Sequence, residues 1–465
     1  VNRFFQQALR LQNEDLEQIP DAPSMIESVT LHEATPELPA HLTILGWTAP
    51  QNRFALKLPH PSAWTGRFLF LGCGGPCGWL NVDGLDRGLA AGFATATTDM
   101  GHHATGFTSL WAAGNPDAQI DWGWRGTRVT GIACKFVTEQ LYDRPITKSY
   151  ITGSSTGGRQ AMVQAQRFPD DYDGVMANSS GHDPIYMGMI WPWMAQLVFD
   201  PDGSPILTQE DMDILVPEVL RQADSAGRLR DGIIDHPELI DLDLSKLPVP
   251  SRKIDILQQL YSGPDGQSGS WDFRGLLPGS EAEGDWQTLW VGSSLLFTIA
   301  RGLLRFTVYD EPPGPKFQVS DWKLSDWPGK SENLIASSGA IDPNLDRFRD
   351  RGAKLLMTQP LGDGWVDPRH ATRYFGALAD RYGSVDDLSS FARLFMIPGR
   401  GHGTGFGTYG PTADALEQLV TWVEHGHAPE RLIIDYAPRG DRPEMSRPVF
   451  PHPAESMRTD PPPRT

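Results

Sequence analysis

Cysteine is scarce in this chain: three residues in 465, Cys73, Cys77 and Cys134. That number excludes a disulfide-stapled scaffold, and none of the three has histidine partners at zinc-like spacing. Cysteine usage this sparse mildly favours a reducing compartment. Long apolar runs are also missing. Nothing approaches the ~18 consecutive apolar residues of a membrane-spanning helix, so no membrane partner is expected. Positive charge is in deficit, with a formal net charge of -18. Phosphate recognition needs clustered Lys and Arg, so a nucleic-acid partner is excluded and the charge reads as a soluble surface. From Val1 onward no basic start leads into an apolar run, so a signal peptide is expected to be absent or already removed. Internal repeats are absent as well.

What is present is an apolar fraction of 39% with 10% aromatics, enough for a large core. Short apolar runs alternate with helical patterns. "RFLFLG" (Arg67 to Gly72), "FATATTD" (Phe93 to Asp99), "SYITG" (Ser149 to Gly153), "KLLMTQ" (Lys354 to Gln359) and "RLFMIPG" (Arg393 to Gly399) read as buried strands. Between them lie helical stretches such as Gly126 to Tyr142 and Thr412 to Gly426. That alternation implies an α/β fold with a mostly parallel sheet covered on both faces. From about Asp183 to Trp327 the alternation stops and Trp, Pro and Gly become frequent. Too many large apolar residues occur there for a linker, so the stretch reads as an inserted domain. The expected organisation is a core in two parts, 1–182 and 331–465, around an insertion at 183–330. A proline-rich tail closes the chain.

"YITGSSTGGRQAM" (Tyr150 to Met162) places two serines between a strand and a helix. Gly153-Ser154-Ser155-Thr156-Gly157 fits G-x-S-x-G with Ser155 at its centre, whereas Ser154 would need glycine where Thr152 stands. A serine at a sharp strand-to-helix turn holds a strained backbone that only side-chain-free neighbours accommodate. Ser155 is therefore the expected nucleophile. It needs a base, and the base needs an orienting acid, in the chain order Ser, acid, His. "KLLMTQPLGDGWVDP" supplies Asp363 and Asp367 after one strand, and "RLFMIPGRGHGTGFG" supplies His402 after the next. Asp367, followed by Pro368, is the preferred acid and Asp363 the runner-up, since "GDG" usually marks an exposed turn. The oxyanion calls for two N–H donors: Thr156 after the nucleophile, and Gly74 or Gly75 in the loop "FLFLGCGGPCG". That loop lacks both the Rossmann spacing and the Lys-Ser/Thr of a phosphate loop.

Together "GCGGPCG", "TTDMGHH", "GSSTGGRQAMVQAQRFPDDYDGVMA", "RGAKLLMTQPLGDGWVDP", "FARLFMIPGRGHGTGFG" and "WVEHGHAPERLI" resemble the tannase and feruloyl esterase family, which includes the hydrolase of mono(hydroxyethyl) terephthalate. The resemblance runs through most of the chain. It implies an α/β-hydrolase core with a large inserted lid domain and a triad of Ser155, Asp367 and His402. It also marks two departures. Family members carry a cysteine before the serine and another after the histidine, joined beside the triad; here Ser154 and Gly403 stand there. None of the three cysteines matches the family's other disulfides either, and Phe450 stands where one is usual. The chain is thus expected to be a variant lacking the family's disulfides and cytoplasmic, with a secreted or periplasmic life, common in the family, as the alternative. The family's lid often holds a structural calcium, and "ADSAGRLRDGIIDHP" is the counterpart loop. Asp224, Asp231 and the carbonyls of Leu229 and Ile233 are in place, while Gly227 replaces a second carboxylate. A calcium ion, which prefers six to eight oxygens, and an ordinary helix-ending loop are both open readings.

The resemblance implies a serine esterase acting on a small-molecule ester of an aromatic acid such as ferulate, gallate or terephthalate, with no cofactor in the chemistry. Lid aromatics Trp191, Trp193, Trp286, Trp290, Phe297 and Phe306 could wall the ring, with Trp290 and Phe297 preferred and Arg301 as a carboxylate partner. A lactone, an amide or a biosynthetic intermediate are alternative substrates on the same triad. Peptidase or acyltransferase chemistry, or a non-catalytic ligand-binding homologue, are the rival classes. Nothing in the sequence points to an oligomeric state.

Overall fold

The computed structural model describes residues 6, 8, 13–226, 232–264, 273–327, 329–402, 409–439 and 443–453. Its framework is a sheet of nine strands: β1 (Ser24–His32), β2 (His41–Thr48), β3 (Asn52–Pro59), β4 (Arg67–Leu71), β5 (Ala94–Thr98), β6 (Lys148–Ser154), β7 (Gly174–Asn178), β8 (Lys354–Pro360) and β9 (Ala392–Ile397). Their spatial order is β1-β2-β3-β5-β4-β6-β7-β8-β9. The first three strands form an antiparallel meander, and β5, β4, β6, β7, β8 and β9 run parallel. The parallel strands are apolar almost throughout; β5 and β7 are buried at every position. Strands in the middle of a parallel sheet are covered on both faces, which is why they read as continuous runs rather than alternations.

The covering helices supply the two faces. On one side α1 (Gly126–Tyr142) and α2 (Thr156–Arg167) pack with α7 (Arg369–Tyr382), burying Val129, Val137, Met162, Val163, Phe375 and Leu378. On the other, α8 (Ala415–His425) buries Leu419 and Trp422 against Tyr150, Met176, Leu356 and Phe395. This is an α/β-hydrolase arrangement, with a mostly parallel central sheet.

Between β7 and β8 the described chain contains no strand of this sheet. It holds α3 (Trp191–Val198), α4 (Gln209–Ala226), α5 (Ser251–Ser262) and α6 (Leu295–Phe306). Their apolar faces build a separate core around Met194, Leu215, Leu257, Trp286, Trp290 and Leu304. Helix α6 reaches the sheet domain at Gly302, where a Cβ would stand 2.3 Å from the carbonyl oxygen of Thr108. No described helix is long and apolar enough to cross a membrane.

Candidate active site

Parallel strands place their C-terminal ends on one edge of the sheet, and three loops meet there. Ser155 follows β6, Asp363 follows β8, and His402 follows β9. Ser155 has φ 59° and ψ −119°, a left-handed conformation that a serine adopts at a cost. Close packing enforces it. A Cβ on Gly153 would lie 2.4 Å from the carbonyl carbon of Gly157, and one on Gly157 would lie 2.8 Å from the oxygen of Gly72. The glycines flanking the serine are therefore demanded by three backbones in contact. The amide of Ser155 donates to Asn178 O at 2.9 Å, which ties the turn to β7.

The loop after β4 lies across this turn. Thr156 Oγ1 donates to the carbonyl oxygen of Gly75 at 2.7 Å. Gly75 has φ 58°, and a Cβ there would approach the Phe107 ring at 3.1 Å. At Gly74 a Cβ would meet nothing within 4 Å, so its surroundings are open. The N–H groups of Gly74, Gly75 and Thr156 donate to no acceptor among the described residues.

The loop is also cross-linked. Cys73 and Cys77 form a disulfide, with their Cα atoms 5.4 Å apart. With this bridge present, the expectation of a variant lacking the family's disulfides is not confirmed. A reverse turn, in which Cys77 N donates to Gly74 O at 3.2 Å, brings the two cysteines within bridging distance. Gln160 of α2 donates to Cys73 O and Cys73 Sγ, at 3.3 and 3.2 Å.

His402 receives its orientation from Asp363. Its Nδ1 lies 2.9 Å from Asp363 Oδ2. That carboxylate also accepts from Gln359 Nε2 at 3.1 Å, Trp365 N at 2.9 Å and Val366 N at 2.8 Å. Four donors fill the acceptor sites of an ionised carboxylate. Burial pulls the His402 pKa down, but the charge and hydrogen bond of Asp363, with the charge of Asp285, outweigh it and leave the imidazole above its ordinary 6.5. Trp365 stacks on the His402 ring, with centroids 5.5 Å apart, and Phe107 stands 6.2 Å from Trp365. The contacts thus run continuously from Thr156 through Gly75, Phe107 and Trp365 to His402.

Asp367, the acid preferred from the sequence, is bonded elsewhere than to His402. Asp367 Oδ1 accepts from Arg369 N at 3.0 Å, and Oδ2 lies 3.4 Å from Arg369 Nη1. It closes the turn into α7, and Arg369 in turn donates to Gly275 O of the insertion. Desolvation raises the Asp367 pKa.

Trp290, expected at the substrate, is instead fully buried in the core of the insertion, 5.2 Å from Trp286. Phe297 packs on Phe199 at 5.5 Å, and the Arg301 guanidinium sits 5.6 Å over Phe297. Their ring contacts lie within the insertion. Among the described residues, the aromatic rings beside His402 and Gly75 are Trp365 and Phe107. Trp365 lies two residues after Asp363 in "GDGW" and could have been found there; Phe107 carries no such signal. Asp285, whose Oδ2 accepts from His402 N at 2.7 Å, was invisible in "EGDWQ".

Of the calcium loop, Leu229 and Asp231 and the side chain of Asp224 lie outside the described residues. Ile233 is described and is buried, 3.0 Å from a Cβ built on Gly399. Among the described residues no cluster of three or more His, Cys, Asp or Glu is placed to hold a metal.

Comparison with known proteins agrees with this architecture. The family described as tannase and feruloyl esterase matches residues 41–267 and 307–459. A protein of Aspergillus flavus named probable feruloyl esterase B-2 is 32% identical over 418 residues, covering 83% of this chain and 77% of that protein. Feruloyl esterase B of Aspergillus niger is 30% identical over 408 residues, covering 80% of this chain and 74% of its own. Among solved structures, feruloyl esterase B from Aspergillus oryzae superposes with a TM-score of 0.80 at 23% identity, covering 97% of this chain and 96% of that one. Tannin acyl hydrolase from Aspergillus niger gives 0.74 at 18% identity, covering 97% and 92%. At these identities the two structures speak for the fold.

Proposed function

The chain belongs to the tannase and feruloyl esterase family and is an esterase, and from that premise we propose that it cleaves aromatic-acid esters through an acyl-enzyme on Ser155, with His402 as base and Asp363 as acid. The observation that carries the reading is the Asp363–His402 hydrogen bond at 2.9 Å on the sheet edge that also bears the strained Ser155. In the first half-reaction Ser155 Oγ attacks the ester carbonyl carbon and its proton passes to His402 Nε2. Asp363 holds the imidazole in the tautomer with hydrogen on Nδ1 and stabilises the imidazolium that forms. The N–H groups of Thr156 and of Gly74 or Gly75 donate to the tetrahedral oxyanion. The intermediate collapses as His402 returns the proton to the leaving alkoxide, which departs as the alcohol. Water, deprotonated by His402, then attacks the acyl-serine; the bond to Ser155 Oγ breaks as His402 returns the proton to that oxygen, and the acid is released.

An aromatic acyl group suits the rings beside this site. Trp365, stacked on His402, and Phe107, against Gly75, form a wall spanning both halves of the machinery. No metal or organic cofactor is needed by any step.

The test is labelling by a fluorophosphonate, followed by a rate comparison of aromatic and aliphatic esters, lactones and amides. Expected are stoichiometric labelling of wild type, none of Ser155→Ala, and fastest turnover of aromatic-acid esters. Turnover retained by Ser155→Ala would remove the serine from the mechanism. Faster lactone or amide hydrolysis would replace the ester assignment.

A further inference from the structure

Asp285 belongs to the insertion, yet one of its oxygens meets both loops that carry the imidazole and its acid. Oδ2 accepts from His402 N at 2.7 Å and from Gly364 N at 2.9 Å. These are the amides of the base itself and of the residue following Asp363. The carboxylate is buried, with Asp285 2% exposed. Both loops are cut to receive it. A Cβ on Gly401 would lie 2.8 Å from Asp285 Oδ2, and one on Gly364 would lie 3.0 Å from Asp285 Cβ. A Cβ on Gly362 would approach Glu283 Cγ at 2.9 Å. Glycines on the two loops thus leave a slot that the segment Glu283–Asp285 fills, and Glu283 is itself held by Arg439 Nη1 at 2.8 Å.

We infer that Asp285 is a positioning residue: its carboxylate clamps the backbones of the Asp363 and His402 loops together and so sets the imidazole's place opposite Ser155. Two amide donors from two loops on one buried, charged acceptor are stronger than neutral hydrogen bonds and fix relative position as well as distance. The clamp comes from the insertion, which couples its seating on the sheet to catalytic geometry. The charge has a second effect. Asp285 lies close enough to raise the His402 pKa, while burial and the charge of Asp363 raise its own. Among the described residues, the charged groups acting on the imidazole are Asp363 and Asp285, with the Glu283–Arg439 pair flanking Asp285. This inference rests on the proposed Ser155–His402–Asp363 mechanism.

The experiment compares Asp285→Asn and Asp285→Ala with wild type and Ser155→Ala, using p-nitrophenyl benzoate as substrate. Asn keeps an acceptor oxygen and loses the charge. It is expected to retain near-wild-type kcat at alkaline pH and to move the acidic limb of kcat/KM to lower pH. Ala loses the acceptor and is expected to reduce kcat by roughly 10- to 100-fold, the cost of a displaced catalytic group, with KM little changed. Wild-type kcat in a folded Asp285→Ala, beside an inactive Ser155→Ala, overturns the clamp alone. Should Asp285→Ala fail to fold, Asp285→Ser, too short to reach both amides, takes its place, and wild-type kcat there overturns the inference. Turnover by Ser155→Ala overturns it together with the mechanism it rests on.

Discussion

Thr156 and Gly75 are joined by a hydrogen bond of 2.7 Å from the threonine hydroxyl to the glycine carbonyl oxygen. The residue after the proposed nucleophile therefore fixes the loop proposed to supply the second oxyanion donor. Both N–H groups of the proposed oxyanion hole are held in one unit by this contact. Thr156→Val removes the hydroxyl at nearly constant volume and leaves the Gly75 carbonyl without that partner. The expected outcome is a fall in kcat of roughly 10-fold or more with KM little changed, approaching the loss of an oxyanion donor. Thr156→Ser should restore the rate. Equal kcat in wild type and Thr156→Val would separate the loop's position from this bond.

The two aspartates of "GDGWVD" make opposite predictions. Asp363→Asn keeps the shape of the side chain but removes the charge that faces the imidazolium and perturbs the tautomer. It is expected to lower kcat by roughly 10^3- to 10^4-fold. Asp367→Asn touches the turn into α7 and Arg369, so kcat should hold while thermal stability falls by about 1–2 kcal/mol. Steady-state kinetics and thermal unfolding of the two variants distinguish the roles, and a catalytic collapse in Asp367→Asn alone would reverse them.

That choice shows where sequence reading stopped. The parallel strands and the elbow were legible because buried runs and paired glycines are local patterns. Ser155 and His402 sit within such patterns. Asp363 does not, because "GDG" reads as a solvent-facing turn. Here it is indeed a turn, with Trp365 N and Val366 N both bonded to the carboxylate, but it is 1% exposed because Asp285 and His402 close over it. Burial of a turn is a tertiary property. The same holds for Trp290, whose type suits a pocket wall but whose place is the insertion's own core. The Cys73–Cys77 bridge needed the turn geometry at Gly74, which composition does not express.

The disulfide predicts a graded effect on the oxyanion loop. It closes a short loop, so its contribution to stability is expected to be small, about 2 kcal/mol. Its larger effect is on the freedom of Gly74 and Gly75, which lie between the two sulfurs in the chain. The double variant Cys73→Ser with Cys77→Ser, or reduction by a dithiol, should lower kcat several-fold and leave labelling by a fluorophosphonate slower but complete. Mass spectrometry before and after alkylation counts the free thiols: one in the oxidised protein, at Cys134, and three after reduction. An unchanged kcat in fully reduced protein would show that the Gln160 contacts and the Thr156 bond hold the loop unaided.

The pH dependence follows from the surroundings of His402. Burial works to lower its pKa, yet Asp363 at 2.9 Å and the nearby charge of Asp285 raise it above 6.5. The proposed mechanism uses the neutral imidazole, so kcat/KM is expected to fall as pH is lowered through a value above the ordinary 6.5. Stability should move the other way. A histidine whose folded pKa exceeds its unfolded value stabilises the fold fully below the unfolded pKa, and that contribution is lost as pH rises through the folded pKa. Acidification from alkaline to mildly acidic pH should therefore cost rate while His402 adds to stability. His402→Gln would abolish activity and flatten that part of the thermal-stability profile. The measurement is a pH–rate profile on an ester with a non-titrating leaving group, paired with thermal unfolding at the same pH values. An acidic limb at or below 6.5 would mean that burial, and not the two carboxylates, governs the imidazole.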